Sequence, residues 1–186
     1  MGRPFSPALP TPGDPATNDV YGIAVNAAIN QVNDDNLAAR RSADSGAINS
    51  TTLASDASLL LPVLASGAYL VDWWLRIDSP AASDFKYSFV GPASATMVWA
   101  SLGADIATTV NAPAAFADVL RWTDAPTIGT VVQHGSIAAS TFQHIRGQGY
   151  LEVSATPGNL QMQFAQVVAG ASLIIRKGSW LKAQRA

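Results

Sequence analysis

The chain of 186 residues has no cysteine and unusually little charge. The lack of cysteine excludes a disulfide framework and thiol chemistry, and it leaves the redox compartment open. Asp, Glu, Lys and Arg together account for 13% of the residues, about half of the roughly 25% that is usual. A soluble monomer normally carries interspersed surface charges. A chain this neutral indicates either that a partner covers much of its surface or that the protein is simply rich in alanine.

The sequence also lacks the motifs that identify many enzymes. It has no Gly-rich phosphate loop, nucleophile elbow or paired-histidine metal motif. We interpret its two histidines, His134 and His144, as structural or surface residues, because the sequence places no carboxylate with them to complete a metal site. Asp72, Asp78 and Asp84 could supply a carboxylate pair for glycoside hydrolysis, but Asp78 and Asp84 flank a turn, where acidic residues are common. We predict no enzymatic activity, no cofactor and no metal ion.

Long apolar runs and a strong net charge are also missing. The first six residues, Met-Gly-Arg-Pro-Phe-Ser, lack the apolar core of a signal peptide. The uncharged segment between Glu152 and Arg176 contains proline, glycine and three glutamines, which excludes a membrane span. The formal net charge of −2 gives no electrostatic reason to expect binding to nucleic acid or to an anionic membrane. We expect a protein made in the cytoplasm that is soluble or assembled.

What the sequence does have is a strict alternation of apolar and polar residues. Between residues 69 and 78 every second side chain is apolar, and the opposite face is mixed. Phe85, Tyr87 and Phe89 repeat this pattern in the next segment. The alternation predicts two half-buried strands, joined by a hairpin loop over 79–84. The side chains predicted to form the core of the domain are Val71, Trp73, Leu75, Phe85 and Tyr87.

The same reasoning predicts a mainly β domain over 57–186, preceded by a linker over 42–56. Turns rich in glycine and proline separate the predicted strands, and 104–117 is interpreted as a long crossing loop. Many short strands without helical periods between them indicate an antiparallel β-sandwich that is jelly-roll-like. The predicted strands are 57–64, 68–78, 84–90, 95–102, 118–123, 127–134, 137–146, 149–155, 159–168 and 171–177.

The first 15 residues carry five of the eleven prolines. Proline disfavours helices and interior strands and favours an extended chain. We interpret 1–15 either as an extended arm that anchors the protein to a partner or as a disordered tail. The residues assigned to the anchoring arm are Pro4, Phe5, Pro7, Leu9 and Pro10.

One α-helix is predicted over 16–41, with Asp14 as its N-cap and Pro15 in the first turn. Four residues within it follow steps of 4, 3 and 4, which is the spacing of a coiled-coil seam. The helix forms an oligomer in one interpretation and packs as a single amphipathic helix on the β domain in the other. The residues assigned to the predicted oligomer interface are Val25, Ile29, Val32 and Asn36.

The five tryptophans are candidates for a binding surface. Trp73 is predicted to be buried, Trp74 to face the other side of the same strand, and Trp99, Trp122 and Trp180 to lie on or near other strands. Aromatic residues on an outer face are enriched at subunit interfaces, and they can also stack on sugars. We favour the interface, because the sequence alone places no acidic or amide cluster beside the tryptophans.

Six segments carry a resemblance to known proteins. They are the Asn-rich 25–35, the runs 59–63 and 68–75, Asp-Phe-Lys-Tyr-Ser-Phe-Val-Gly-Pro at 84–92, the Trp-bearing 95–102 and Gly-Ser-Trp-Leu-Lys at 178–182. These segments are similar to those of virion proteins of tailed phages that infect Actinobacteria, and the similarity covers roughly residues 18–182. It implies a trimeric jelly-roll module of a minor tail protein, a tail fibre or a head decoration, and such modules bring no catalytic residues.

The resemblance implies a non-enzymatic structural protein of a tailed-phage virion. We expect a homotrimer displayed on the particle surface as a capsid decoration or a minor tail protein. Its N-terminal arm would contact other virion proteins, such as the major capsid or tail proteins. The alternative is a module of a tail fibre or receptor-binding protein that binds a glycan on the host surface.

Overall fold

The computed structural model describes residues 35–80, 83–105, 120–136, 142–170 and 172–186. The chain divides into two compact units, Met1–Asp35 and Asn36–Ala186, and the fold described below is that of the second. The predicted anchoring arm and the seam residues Val25, Ile29 and Val32 lie outside the described residues.

The described residues of the second unit form β-strands and no helix. The strands are β1 (Asn36–Arg40), β2 (Ala54–Val63), β3 (Ala68–Asp78), β4 (Phe85–Val90), β5 (Thr96–Ala104), β6 (Leu120–Ala125), β7 (Val132–His134), β8 (Gln143–Glu152), β9 (Gly158–Gln166), β10 (Ile174–Ile175) and β11 (Trp180–Arg185).

These strands make two sheets that pack in two layers. The seven-stranded sheet has the order β1-β11-β3-β8-β5-β6, and β10 pairs with the end of β3; the four-stranded sheet has the order β2-β9-β4-β7. Every strand pair is antiparallel. The prediction of a mainly β, antiparallel fold is therefore confirmed.

An aromatic cluster fills the space between the layers. Trp73 of β3 contacts Phe89 of β4 with ring centroids 4.9 Å apart, and it contacts Trp99 of β5 at 5.7 Å. Because edge-to-face aromatic pairs add to the free energy of burying their large surfaces, this cluster stabilises the contact between the sheets. The five residues predicted to form the core, which are Val71, Trp73, Leu75, Phe85 and Tyr87, are all buried.

The segment 79–84 is not the hairpin loop that the sequence predicted. β3 pairs with β8, β10 and β11, whereas β4 pairs with β7 and β9, so the two strands belong to opposite layers. The reason lies in their apolar faces. Trp73 and Phe89 cover each other across the core, whereas in a hairpin both faces would lie on the same side of one sheet.

Several predicted boundaries also differ from the structure. Asn36–Arg40 is strand β1, so the helix predicted over 16–41 does not include its last residues. The predicted linker is shorter, because β2 begins at Ala54. The strands predicted over 137–146 and 149–155 are one strand, β8, and the glycines between them continue its pairing. The last strand, β11, was not predicted.

Candidate functional site

The outer face of the seven-stranded sheet is the candidate functional site. Its side chains form rows, because residues opposite each other on neighbouring strands point the same way. The cation–Trp row consists of Arg40, Trp180, Trp74, Arg146, Leu102 and Trp122. The polar row beside it consists of Ala38, Lys182, Asp72, Gln148, Ala100 and Asp124. The apolar row consists of Leu70, Tyr150 and Val98.

The cation–Trp row holds its aromatic side chains in defined positions. His144 stacks on Trp74 with ring centroids 5.0 Å apart and an angle of 20° between the planes. The Lys182 ammonium lies 4.8 Å from the ring centroid of Trp180, which is within the range of a cation–π interaction. Trp74 remains 37% exposed. The row thus presents indole surface next to fixed positive charges.

A second group of charges lies at the end of β3. The guanidinium groups of Arg76 and Arg176 lie 5.2 and 5.3 Å from the ring centroid of Phe142, which is itself exposed. Arg176 also bonds to Asp78, and its Nη1 donates to Asp44 at 2.8 Å. These carboxylates balance Arg176. Arg76, in contrast, donates to the Lys177 carbonyl oxygen and forms no ion pair with a described residue.

The polar row forms the floor of two shallow depressions. One has a volume of about 550 Å³ and includes Ala38, Asp72 and Lys182 in its lining. The other has a volume of about 540 Å³ and includes Ala100 and Asp124. Both depend on the small alanines of the row, which leave space between longer side chains. Carboxylate, amide and ammonium groups therefore line recesses between the polar row and the apolar row, since Leu70 lines both recesses.

The apolar row is exposed although its residues are large. The exposed fractions of Leu70, Val98 and Tyr150 are 56%, 63% and 42%. These side chains are adjacent in the register of three neighbouring strands. Scattered exposed apolar residues are ordinary, whereas a contiguous group indicates a surface that another molecule covers.

The outer face of the four-stranded sheet has a different composition. Its positions on β9 and β4 include Gln161, Gln163, Lys86 and the exposed Val90. The exposed aromatic side chains of the described residues, Trp74, Trp122, Tyr150 and Phe142, lie on the seven-stranded sheet or directly before β8. The two faces are therefore not equivalent, and the aromatic one is the candidate for binding.

A Ser–His pair lies in the core and not at this site. The hydroxyl of Ser101 is 2.8 Å from Nε2 of His134, and both residues are buried. Burial lowers the pKa of His134 to about 4, so the imidazole is neutral at pH 7. Because solvent does not reach either side chain, we interpret the pair as part of the packing and not as a nucleophile with its base.

Two of the three carboxylates considered for hydrolysis, Asp78 and Asp84, have structural partners. Asp78 bonds to Arg176, and Asp84 Oδ1 accepts a hydrogen bond of 2.9 Å from the Ser136 amide. Asp72 lies 3.9 Å from Arg146. The part of the chain that the structure describes contains no group of three His, Asp or Glu residues that could hold a metal ion. In that same part, no helix is long and apolar enough to cross a membrane.

The structure brings only some of the predicted site residues together. Trp74, Trp122 and Trp180 share the cation–Trp row, but Trp99 faces inward and belongs to the core. Asn36 lies on β1 opposite Gln184 and not on a helix; its contact with another subunit stays a prediction. The sequence analysis missed the apolar row. The alternation of Leu70 with buried neighbours marked it as outward-facing, but the sequence could not place it beside Val98.

The chain matches no protein-family model, and it is similar to no curated protein. The function is therefore proposed from the surface described above.

Proposed function

We propose that the protein is a non-enzymatic structural protein of a tailed-phage virion. In this proposal it is a homotrimer displayed on the particle surface, as a capsid decoration or a minor tail protein, and residues 1–15 anchor it to other virion proteins. The observation that carries the assembly is the exposed apolar row of Leu70, Tyr150 and Val98, and the virion is proposed on the similar sequence segments. A copy of the same chain that covered this row would remove three large side chains from water.

The energetic argument favours assembly. Full burial of a large apolar side chain contributes roughly 1.5–3 kcal/mol, so a subunit contact over the apolar row would gain several kcal/mol before the cost of association. The low charge of the chain supports the same proposal. Interfaces are enriched in aromatic residues, and the central side chain of the apolar row, Tyr150, is aromatic.

We also propose that the sandwich is a jelly roll. Without β5, β6 and β10, eight strands remain, and we number these 1 to 8 along the chain. One sheet then has the order 1-8-3-6 and the other the order 2-7-4-5. This order supports the proposal, because it is the pairing of two Greek keys wrapped into a double sheet, a fold found in viral capsid and lectin domains. β5 and β6 then form an insertion that widens one sheet.

Light scattering coupled to size-exclusion chromatography tests the assembly. The expected mass of the full-length protein is three times the chain mass of 19.4 kDa. Val98→Glu should lower this mass, because it places a carboxylate in the apolar row. Val90→Glu is the matched control, since Val90 is exposed on the four-stranded sheet. A monomeric wild type, or equal effects of both variants, would contradict assembly through this face. Immunogold labelling of virions tests the location.

A second candidate function is binding of a glycan on the host surface. The observation that favours it is the polar row, because Asp72, Gln148 and Lys182 lie in register beside Trp74 and Trp180. Sugar rings stack on indoles and exchange hydrogen bonds with carboxylate and amide groups. Pull-down of host envelope fractions with wild type and Trp74→Ala tests it. Capture by the wild type that Trp74→Ala weakens would support glycan binding, whereas no capture would leave the structural role alone.

A further inference from the structure

We infer that the cation–Trp row, together with Arg76 and Lys182, binds an acidic polysaccharide. This inference rests on the second function proposed above, glycan binding, and narrows its ligand from any glycan to an anionic one. It uses the part of the outer face that faces away from the apolar row, with the polar row between the two. A subunit contact over Leu70, Tyr150 and Val98 and a ligand at Trp74 therefore use different side chains.

The first argument is an excess of positive charge in a chain whose net charge is −2. Arg40, Arg146 and Lys182 lie on this part of the face with Asp72, and Arg76 lies at its edge beside Arg176, Asp44 and Asp78. Five cations therefore accompany three carboxylates. Arg40, Arg76 and Lys182 form no ion pair with a described residue. The cluster is thus complementary to a ligand that carries several negative charges.

The weak pairing of Arg146 adds to this argument. Its Nε lies 3.9 Å from Asp72, and its side chain is 64% exposed. An exposed ion pair at that distance contributes little free energy. Arg146 can therefore turn its planar guanidinium towards a ligand carboxylate and bind it through two hydrogen bonds.

The second argument is the flat aromatic surface between the cations. Trp74 and Trp180 are opposite each other on β3 and β11, with Arg40 and Arg146 on the strands outside them. The indole of Trp74 is held by His144 at 5.0 Å, so little side-chain entropy is lost when a ligand packs on its exposed part. The carbon-bound hydrogens of a sugar ring are attracted to the negative face of an indole.

The spacing of the row suits a chain-like ligand. Neighbouring strands are about 4.8 Å apart. Arg40 and Arg146 are separated by three such steps, through β11 and β3, or about 14 Å. A polymer of a few acidic sugar units would reach from one arginine to the other while its rings pass over the tryptophans. Hydroxyl groups would find acceptors and donors at Asp72 and Gln148 in the polar row.

The composition of the face favours a sugar polymer over single-stranded nucleic acid. Nucleic acid also combines stacking with electrostatic attraction, but its binding grooves track the phosphate backbone with positive charge. Here Asp72 and Gln148 interrupt the positive charge, and they can exchange hydrogen bonds with the hydroxyl groups of a sugar, which single-stranded DNA does not carry along its backbone.

Binding is tested by calorimetry with the full-length protein and three polymers: polygalacturonate as the acidic probe, dextran as the neutral one, and single-stranded oligothymidylate. We expect polygalacturonate to bind, and to bind more weakly as salt is added. Lys182→Gln and Arg146→Gln should each weaken it by about two- to fivefold, which is the range for a solvent-exposed charge contact. Trp74→Ala should weaken it by about tenfold.

The matched control is Lys86→Gln, which removes the same charge from the four-stranded sheet and should leave binding unchanged. If dextran binds as tightly as polygalacturonate, the protein binds glycans but does not prefer acidic ones. If Lys182→Gln and Lys86→Gln weaken the binding of polygalacturonate equally, the binding site is not on the seven-stranded sheet. If oligothymidylate binds more tightly than polygalacturonate and the same variants weaken its binding, the ligand is a nucleic acid and not a sugar polymer. If none of the three polymers binds, this inference is wrong. Glycan binding in general is tested separately by the pull-down of host envelope fractions. Circular dichroism checks that each variant is folded.

Discussion

The indole of Trp73 packs directly on the α-carbon of Gly147, its partner across β3 and β8. A Cβ atom on Gly147 would lie 2.1 Å from Cζ2 of Trp73 and 2.7 Å from the carbonyl oxygen of Ala100. Neither distance is possible without movement of the ring or the backbone. The centre of the seven-stranded sheet therefore depends on a residue without a side chain.

Gly147→Ala should destabilise the fold. The added methyl group overpacks the core, and such changes cost about 1–3 kcal/mol. The free energy of unfolding, measured by urea denaturation, should fall by that amount. Gly46→Ala is the control, because nothing lies within 4 Å of a Cβ at Gly46 and its stability should match the wild type. If both variants are equally stable, the indole of Trp73 does not pack closely on Gly147.

Burial of His134 predicts a loss of stability in mild acid. Its folded-state pKa, about 4, is below the ordinary value of 6.5. Between these pH values the unfolded chain binds a proton that the folded chain does not. The contribution of His134 to the free energy of unfolding is therefore complete above pH 6.5 and is lost as the pH falls towards 4. It amounts to about 3 kcal/mol.

His134→Gln should remove this part of the pH dependence, whereas His144→Gln should keep it. Urea denaturation of the three proteins at a series of pH values makes the comparison. If His134→Gln does not fold, NMR titration of the wild type decides instead. An imidazole resonance of His134 that titrates near 6.5 would show that the side chain is accessible to water, contrary to its burial.

Asp84 combines an unusual backbone angle with a hydrogen bond across the fold. Its φ is 30°, and its Oδ1 accepts from the Ser136 amide at 2.9 Å. Burial raises the pKa of this carboxyl group, so the charge itself brings no stability. Asp84→Asn keeps the acceptor and should not destabilise the protein at pH 7. Asp84→Ala leaves the amide without its partner and should lower the free energy of unfolding by about 1–3 kcal/mol. Equal stability of the two variants would exclude a role for the hydrogen bond.

The predicted helical seam and the apolar row are separable by mutation. If Val25, Ile29 and Val32 face partner helices, Ile29→Asp brings like charges together at one layer of the oligomer, which is strongly unfavourable. Light scattering should then show smaller particles, while the β-type circular dichroism spectrum is unchanged. If Val98→Glu dissociates the oligomer and Ile29→Asp does not, the subunits associate through the sheet. Unfolding of the β domain by Ile29→Asp would mean that the helix packs on it.

The faces of the strands could be predicted from the sequence, but their partners could not. Alternation identified Trp73 as buried and Trp74 as outward-facing, because the period of two is a local property of the chain. The assignment of β3 and β4 to opposite layers depends on which apolar faces cover each other. That is a relationship between residues far apart in sequence, and the short loop between the strands suggested a hairpin instead.

Glycine misled the prediction at β8. Glycine usually marks a turn, and Gly147 was therefore placed between two strands, the second of which was predicted to begin at Gly149. In the structure each meets an inward side chain of a neighbouring strand, Trp73 or Met97, so the strand continues. The rows of the candidate site depend on this register, since Arg146 and Gln148 face outward only because β8 is unbroken. The candidate site could not have been assembled from the sequence.

The position of β11 has a consequence for the way the protein folds. It lies between β1 and β3, and Asn36 pairs with Gln184, about 150 residues further along the chain. Contacts of such long range slow folding, because the chain entropy of closing the loop is lost before the contacts form. During synthesis β1 has no strand to pair with until β11 leaves the ribosome. Until then β3 presents an unpaired edge to other chains, so a nascent or truncated chain should be prone to aggregate.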